Sequence, residues 1–247
     1  MITSVKNESV KALKALLSRK GRREAGLHLI EGERLVFDAL ASGVAPASIF
    51  VSEKRPDIAA RLAEAGAAFE TVSEGVMASV SDTDTPQGLI ASVRTPDTTP
   101  PEEYPAGLVV ALDRVQDPGN LGTILRTADA FDAAGLLLSE GCADPWSPKA
   151  ARSAMGSAYH IPVWQGELTD ELKKLKAQGF FAVCGHLKGR EALPELPEKR
   201  VLIIGNEANG VSDEASEGAY LYRLPMKGRA ESLNAAAAAA VLIYLMS

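Results

Sequence analysis

From residue 108 onward, short apolar runs alternate with helical segments, and no other feature constrains the fold of this chain as strongly. The runs are "LVVAL", "GLLLS", "IPVW", "FFAVCG", "VLIIG" and "LYRLP". Between and after them lie a helix from Leu121, one near Lys149 to Ser157, one from Glu171 and a final helix. Strands that alternate with helices build a parallel, wound sheet whose ligands sit beyond the carboxyl ends of the strands. Functional residues are therefore expected just after strands.

The preceding stretch "RTPDTTPPEEYPAG", Arg94 to Gly107, holds four prolines and no apolar period, the composition of a stiff linker. It predicts an N-terminal domain over 1–93, a linker over 94–107 and a second domain over 108–247. In the first domain Val10, Leu13, Leu16 and Leu17 form one helical stripe, "RLVFDALAS" a second helix, and Ala47–Val51, Ala67–Val72 and Gly88–Val93 short strands. This is a small α/β unit. A chain of 247 residues that is 46% hydrophobic can bury two such cores.

Composition narrows the function classes. Cys142 and Cys184 are too few for a disulfide framework, and three histidines offer no metal-ligand spacing, so no metal site is expected. The longest apolar run, Ala235 to Met246, is shorter than the ~18 residues of a membrane span, and the first residues lack a secretory apolar core. A cytosolic protein without a membrane partner is the expectation. The net charge of −6 argues against a polyanionic partner, but its distribution does not. Residues 1–30 place Lys6, Lys11, Lys14, Arg19, Lys20, Arg22 and Arg23 against only Glu8 and Glu24. That cluster reads either as a phosphate-binding patch or as a solvated helix face.

Three strand exits carry the chemistry. In "LVVALDRVQDPGNLGTILRTADAFD" a buried strand leaves through a Pro-Gly turn, Asn120 stands where an N-cap is wanted, and a helix follows. On a helical wheel Leu121, Ile124, Leu125, Ala128 and Phe131 share one face and Arg126 points away, as a functional group or as a surface arginine. In "VLIIGNEANGVSDE" the strand ends at Gly205-Asn206-Glu207, where glycine lets backbone approach a ligand closely. Neither the phosphate-loop nor the dinucleotide glycine pattern is present. In "LYRLPMKGRAESLNAAAAAAVLIYLMS" a strand ends at Leu224, and Ser232, a candidate N-cap, and Asn234 open a helix whose next six residues are alanine. Alanine favours a helix, but six small residues in a row also indicate another backbone lying close.

Taken in this order, the three motifs resemble the SpoU or TrmH group of the SPOUT methyltransferases, RNA ribose 2′-O-methyltransferases that use S-adenosylmethionine. The likeness runs from about Leu108 to Met246, and "TSVKNESVKALKALLSRKGRREAGLHLIEGERLVFDAL" is similar to the ribosomal-protein-like RNA-binding domain of many members. The chain departs from the family where the last helix carries alanines in place of a Val-Ser-Val stretch. The resemblance implies an α/β fold: a trefoil-knotted C-terminal domain with a parallel sheet, preceded by a small α/β RNA-binding domain. It implies a catalytic set of Arg126, Asn120, Glu207, Ser232 and Asn234, and a cofactor site at Gly185, Gly205, Leu224, Met226 and Leu233. Lys11, Lys14, Arg19, Lys20, Arg22 and Arg23 would bind RNA, ribosomal before transfer RNA, and the protein would be a homodimer. In the family the arginine matching Arg126 is assigned as the base; because a guanidinium keeps its proton in almost any protein setting, gripping a phosphate and orienting the hydroxyl is an equal reading. A silent RNA-binding module and a nucleotide-dependent oxidoreductase are the alternatives. The first is opposed by the intact polar set, the second by the missing glycine fingerprint.

Overall fold

The structure, a computed structural model, describes all 247 residues and divides into two units. The first comprises residues 1–96 and 144–159, the second residues 97–143 and 160–247. The segment 144–159 thus leaves the second unit's chain path and joins the first, whereas a boundary at residue 108 places it in the C-terminal domain.

The first unit runs α1 (Glu8–Ala15), α2 (Arg19–Ala25), β1 (Leu27–Glu31), α3 (Glu33–Ala41), β2 (Pro46–Ser52), α4 (Pro56–Glu64), β3 (Glu70–Val72), α5 (Glu74–Val80) and β4 (Leu89–Arg94). Its sheet has the order β1-β4-β2-β3, antiparallel except for the parallel β2–β3 pair. Phe50, Ile90, Val72, Val76 and Met77 fill one face with Val10 and Leu13 of α1 and Leu16 at its C-terminal cap. The opposite face packs Ile49, Val51 and Ala91 against α3, α4 and Ala151. Strand β1 is not among the strands expected from sequence, because His28 and Glu31 interrupt its apolar pattern; both are buried and partnered.

The second unit runs β5 (Leu108–Leu112), α6 (Pro118–Ala130), β6 (Gly135–Ser139), then, after α7 (Pro148–Ala154) of the first unit, β7 (Val163–Gly166), α8 (Leu168–Ala177), β8 (Phe181–Arg190), β9 (Arg200–Ile204), α9 (Asp213–Ser216), β10 (Tyr220–Tyr222) and α10 (Ala235–Met246). All six strands are parallel, in the order β10-β8-β9-β5-β6-β7. Every residue of β5 is buried, as a central strand covered on both faces requires. The register aligns Leu112 with Ile204 and Cys184 with Ile203, so the exits of β5, β9 and β8 stand side by side. This is where the strand order reverses, the place at which open α/β sheets bind ligands. The last strand ends at Tyr222, two residues before the expected Leu224.

Candidate active site

Three local structures build the site. The first is the β5 exit. Asp117, not Asn120, caps α6: its Oδ1 accepts the Asn120 backbone N–H at 2.8 Å, and Pro118 takes the first helical position, where a missing N–H costs nothing. Leu121, Ile124, Leu125 and Ala128 face the core as the wheel requires, whereas Phe131 is 38% exposed. The Asn120 side chain is released from capping.

The second is the β9 exit, a tight loop from Gly205 to Gly210. Asn206 and Gly210 exchange backbone hydrogen bonds at 3.0 and 2.9 Å. A Cβ on Gly205 would stand 2.0 Å from the Gly210 carbonyl carbon, so glycine is required here by the loop's own backbone rather than by a ligand alone. Glu207 projects from this loop. The third is the start of α10, where Asn234, not Ser232, is the N-cap, its Oδ1 accepting the N–H groups of Ala236 and Ala237 at 2.9 and 3.2 Å. Ala235, Ala236 and Ala239 are buried, and α10 packs along α6 and β9, so part of the alanine run meets the chain's own elements.

These pieces join in one chain of hydrogen bonds. Asn120 Nδ2 donates to Glu207 Oε1 at 2.7 Å, and Asn234 Nδ2 donates to Asn120 Oδ1 at 3.0 Å. Three expected catalytic residues, 87 and 114 positions apart in sequence, are thereby in contact. Ser232 lines the adjoining cavity and Arg126 does not. Arg126 is exposed on α6 and makes no hydrogen bond or ion pair within the chain.

The cavity holds about 400 Å³, within the range of small-molecule sites. Gly185, Gly205, Leu224, Met226 and Leu233, the five expected cofactor residues, all line it. Ile204, Val211 and Leu242 add apolar wall, and Asn206, Glu207 and Ser232 add polar groups. A flat aromatic base with a polar, charged extension suits this lining. Beneath it lie buried groups that the sequence reading left unassigned. The Asp113 carboxylate accepts Arg114 Nε at 2.9 Å and the Ser212 N–H at 2.7 Å. Burial pushes its acidity the other way, but these donors outweigh burial and hold the carboxyl below its ordinary range. The Cys184 thiol is pushed up to about 12 by burial and by the nearby Asp113 charge, which keeps it protonated.

The basic cluster is only partly available. Lys11 pairs with Glu8 at 2.7 Å and Lys20 with Glu24 at 3.7 Å, both on exposed surface. Arg22 is a correction: it is buried, with Nε and Nη2 on Asp144 at 3.0 and 2.5 Å and Nη1 on the Leu16 and Leu17 carbonyls. Its donors are used inside the first unit and no phosphate can take them. Lys14, Arg19 and Arg23 remain exposed.

Comparison with known proteins identifies this arrangement. Residues 107–244 match the model of the SpoU rRNA Methylase family. The chain belongs to that family. Residues 7–91 of this SpoU-family chain match an MRM3-like substrate binding domain. The chain is 39% identical to the 23S rRNA (guanosine(2553)-2′-O)-methyltransferase RlmP of Bacillus subtilis, over 98% of this chain and 97% of that protein. It is 31% identical to the mitochondrial rRNA methyltransferase 3A of Danio rerio, over 92% of this chain and 65% of that protein. Among solved structures it superposes on the AdoMet-bound rRNA methyltransferase from Sinorhizobium meliloti with a TM-score of 0.85 at 34% identity, covering 98% of this chain and 95% of that one. AviRb of Streptomyces viridochromogenes, in complex with AdoMet, gives a TM-score of 0.85 at 28% identity, covering 97% and 96%. Membership in this family sets aside the oxidoreductase alternative.

Proposed function

We propose that this protein transfers a methyl group from S-adenosylmethionine to a ribose 2′-hydroxyl of ribosomal RNA, on the large-subunit RNA that its bacterial relative modifies. The observation that carries the reading is the Glu207–Asn120–Asn234 hydrogen-bond chain, whose Glu207 lines the cavity of about 400 Å³. Gly185, Gly205, Leu224, Met226 and Leu233 are the residues that would hold the cofactor. When bound, it supplies an electrophilic methyl group on a sulfonium centre.

The chain's own contribution is placement. In-line displacement needs the hydroxyl held on the methyl axis, and correct placement alone accounts for a large part of such rate enhancements. Asn120 is fixed from both sides, by Glu207 and by Asn234, so neither amide can rotate away. Ser232 adds a hydroxyl at the cavity wall. Arg126, with free planar donors, orients the ribose hydroxyl or grips the adjacent phosphate, and the proton leaves to phosphate or water if the guanidinium keeps its own.

The exposed face of α10 supports a homodimer: Val241, Tyr244 and Leu245 are 42%, 64% and 43% exposed, and the Tyr244 ring lies edge-on to Phe131 at 5.6 Å. In that assembly Arg126, which stands outside its own chain's Asn120 group, is the residue one subunit lends to the other's site. The position of β9 between β8 and β5 supports the family's trefoil knot, one of the rare exceptions to unthreaded chains. The N-terminal residues 1–93 would supply RNA affinity through Lys14, Arg19 and Arg23, with no metal required. No helix is long and apolar enough to cross a membrane, and a cytoplasmic ribosomal target fits that. Incubating the protein with radiolabelled S-adenosylmethionine and ribosomal RNA tests the proposal: label should enter RNA as a ribose methyl, and its absence would refute the reading.

A further inference from the structure

Arg114 occupies a conformation that its side chain does not favour. Its φ is 55°, in the left-handed region where residues other than glycine, asparagine and aspartate are uncommon. Such an outlier persists only where its surroundings hold it. Here the surroundings are specific. The preceding residue, Asp113, donates its N–H to the Ile204 carbonyl at 2.8 Å and so stays in the β5–β9 ladder. Arg114 then turns: its N–H goes to Ser139 Oγ at 2.8 Å, and its guanidinium folds back on the Asp113 carboxylate.

That turn aims the Arg114 carbonyl at Asn206, whose Nδ2 donates to it at 2.8 Å. The Asn206 Oδ1 accepts the N–H groups of Ala208 and Asn209 at 2.8 and 3.2 Å, and its backbone closes on Gly210. One side chain therefore braces the loop that carries Glu207 and ties that loop to the β5 exit. Asp113 anchors the far side of the same loop through the Ser212 N–H. The only other polar contact between the β5 exit and the tip of this loop is the Asn120–Glu207 hydrogen bond itself, which the brace at Asn206 serves to place.

We propose that Arg114 and Asn206 are positioning residues for methyl transfer: the left-handed turn at Arg114 presents a carbonyl to Asn206, and Asn206 holds the loop so that Glu207 meets Asn120. The inference rests on the reading of the site as a methyl-transfer centre. Arg114 lies outside the cavity lining and Asn206 within it; the role proposed for both is to set the geometry of Glu207 and Asn120. The guanidinium of Arg114 is secondary to the backbone conformation, since it is the carbonyl that Asn206 reads.

Two substitutions separate these parts. Arg114→Gly and Arg114→Val both delete the guanidinium and leave Asp113 equally deprived of it. Glycine keeps the left-handed turn, whereas a β-branched residue strongly disfavours it. The readouts are kcat and KM for RNA at saturating S-adenosylmethionine, and hydrogen exchange over residues 205–211. Arg114→Val should lower kcat at least about tenfold with KM for RNA little changed, as misplacement of a site predicts, and should speed exchange of the loop. Arg114→Gly should recover most of that kcat and keep the loop protected. If Arg114→Val fails to fold, Asn206→Asp takes its place: it keeps the acceptor for Ala208 and Asn209 but turns an oxygen toward the Arg114 carbonyl, and because Asn206 also lines the cavity the expected result is the same loss of kcat at saturating S-adenosylmethionine together with faster exchange of the loop. Equal kcat and equal exchange in the two Arg114 variants, or wild-type kcat in Asn206→Asp, overturns the positioning role. A wild-type protein that binds RNA and S-adenosylmethionine without transferring methyl instead refutes the reading of the site, and the exchange comparison still decides whether the turn at Arg114 governs the loop.

Discussion

Replacing Asp144 by alanine should destabilise the first unit far more than a surface substitution would. The carboxylate receives two donors from Arg22, at 3.0 and 2.5 Å, and the two side chains are only 15% and 7% exposed. Removing it leaves a guanidinium with two donors unpaired away from water, and breaking a buried pair in this way costs about 3–5 kcal/mol. Arg22 Nη1 keeps its bonds to the Leu16 and Leu17 carbonyls, so the lower end, about 3 kcal/mol, is expected. The double replacement Arg22→Met with Asp144→Leu removes both charges and should recover most of the loss, because an apolar pair of similar volume carries no desolvation cost. Equilibrium urea unfolding followed by tryptophan emission measures both, since Trp146 hydrogen-bonds to Asp144 through its backbone N–H. A change of less than about 1 kcal/mol for Asp144→Ala, the range of exposed pairs, would show that Arg22 is a surface cation and restore it to the RNA-binding set.

Other outcomes follow from single groups. His28 is buried against Tyr159 and Trp146 and titrates at about 4 in the fold, lowered mainly by burial. Below pH 6.5 the unfolded chain takes a proton that the folded one refuses, so stability should fall by up to about 3 kcal/mol between pH 6.5 and 4 and then level off; His28→Phe should flatten that slope in a pH series of unfolding curves. Arg126→Ala should change stability by less than about 0.5 kcal/mol, since no contact within the chain is lost, yet cut methyl transfer at least about a hundredfold at saturating cofactor; near-normal turnover would remove Arg126 from the catalytic set. Tyr244→Glu, on the exposed face of α10, should yield monomers in sedimentation velocity at micromolar concentration, and an unchanged dimer would move the interface elsewhere.

The second unit was legible because its central strands β5, β6 and β9 are almost wholly buried and read as unbroken apolar runs, with turn residues marking their exits. The site residues were legible as motifs, but their local roles were not. Asn120 and Ser232 look like caps in sequence, and only the fold shows that Asp117 and Asn234 do the capping, which frees the Asn120 amide for Glu207. Asn206 escaped notice because an asparagine in a glycine-rich turn is commonplace; its value lies in a partner 92 positions away. Arg22 was misread for the same reason, since a cation in a basic run gives no hint of a carboxylate 122 positions away. The docking of residues 144–159 on the first unit was also hidden: a short helix with Ala150, Ala151 and Ala154 inside suits either sheet, and only long-range packing decides which one receives it.

The most direct test of the account is a map of 2′-O-methylated nucleotides across ribosomal and transfer RNA from cells with and without the gene. One ribose of the large-subunit ribosomal RNA should lose its methyl group when the gene is deleted and regain it with the wild-type protein but not with Arg126→Ala. An unchanged ribosomal map, or a lost methyl that sits on a base or only on transfer RNA, would contradict it.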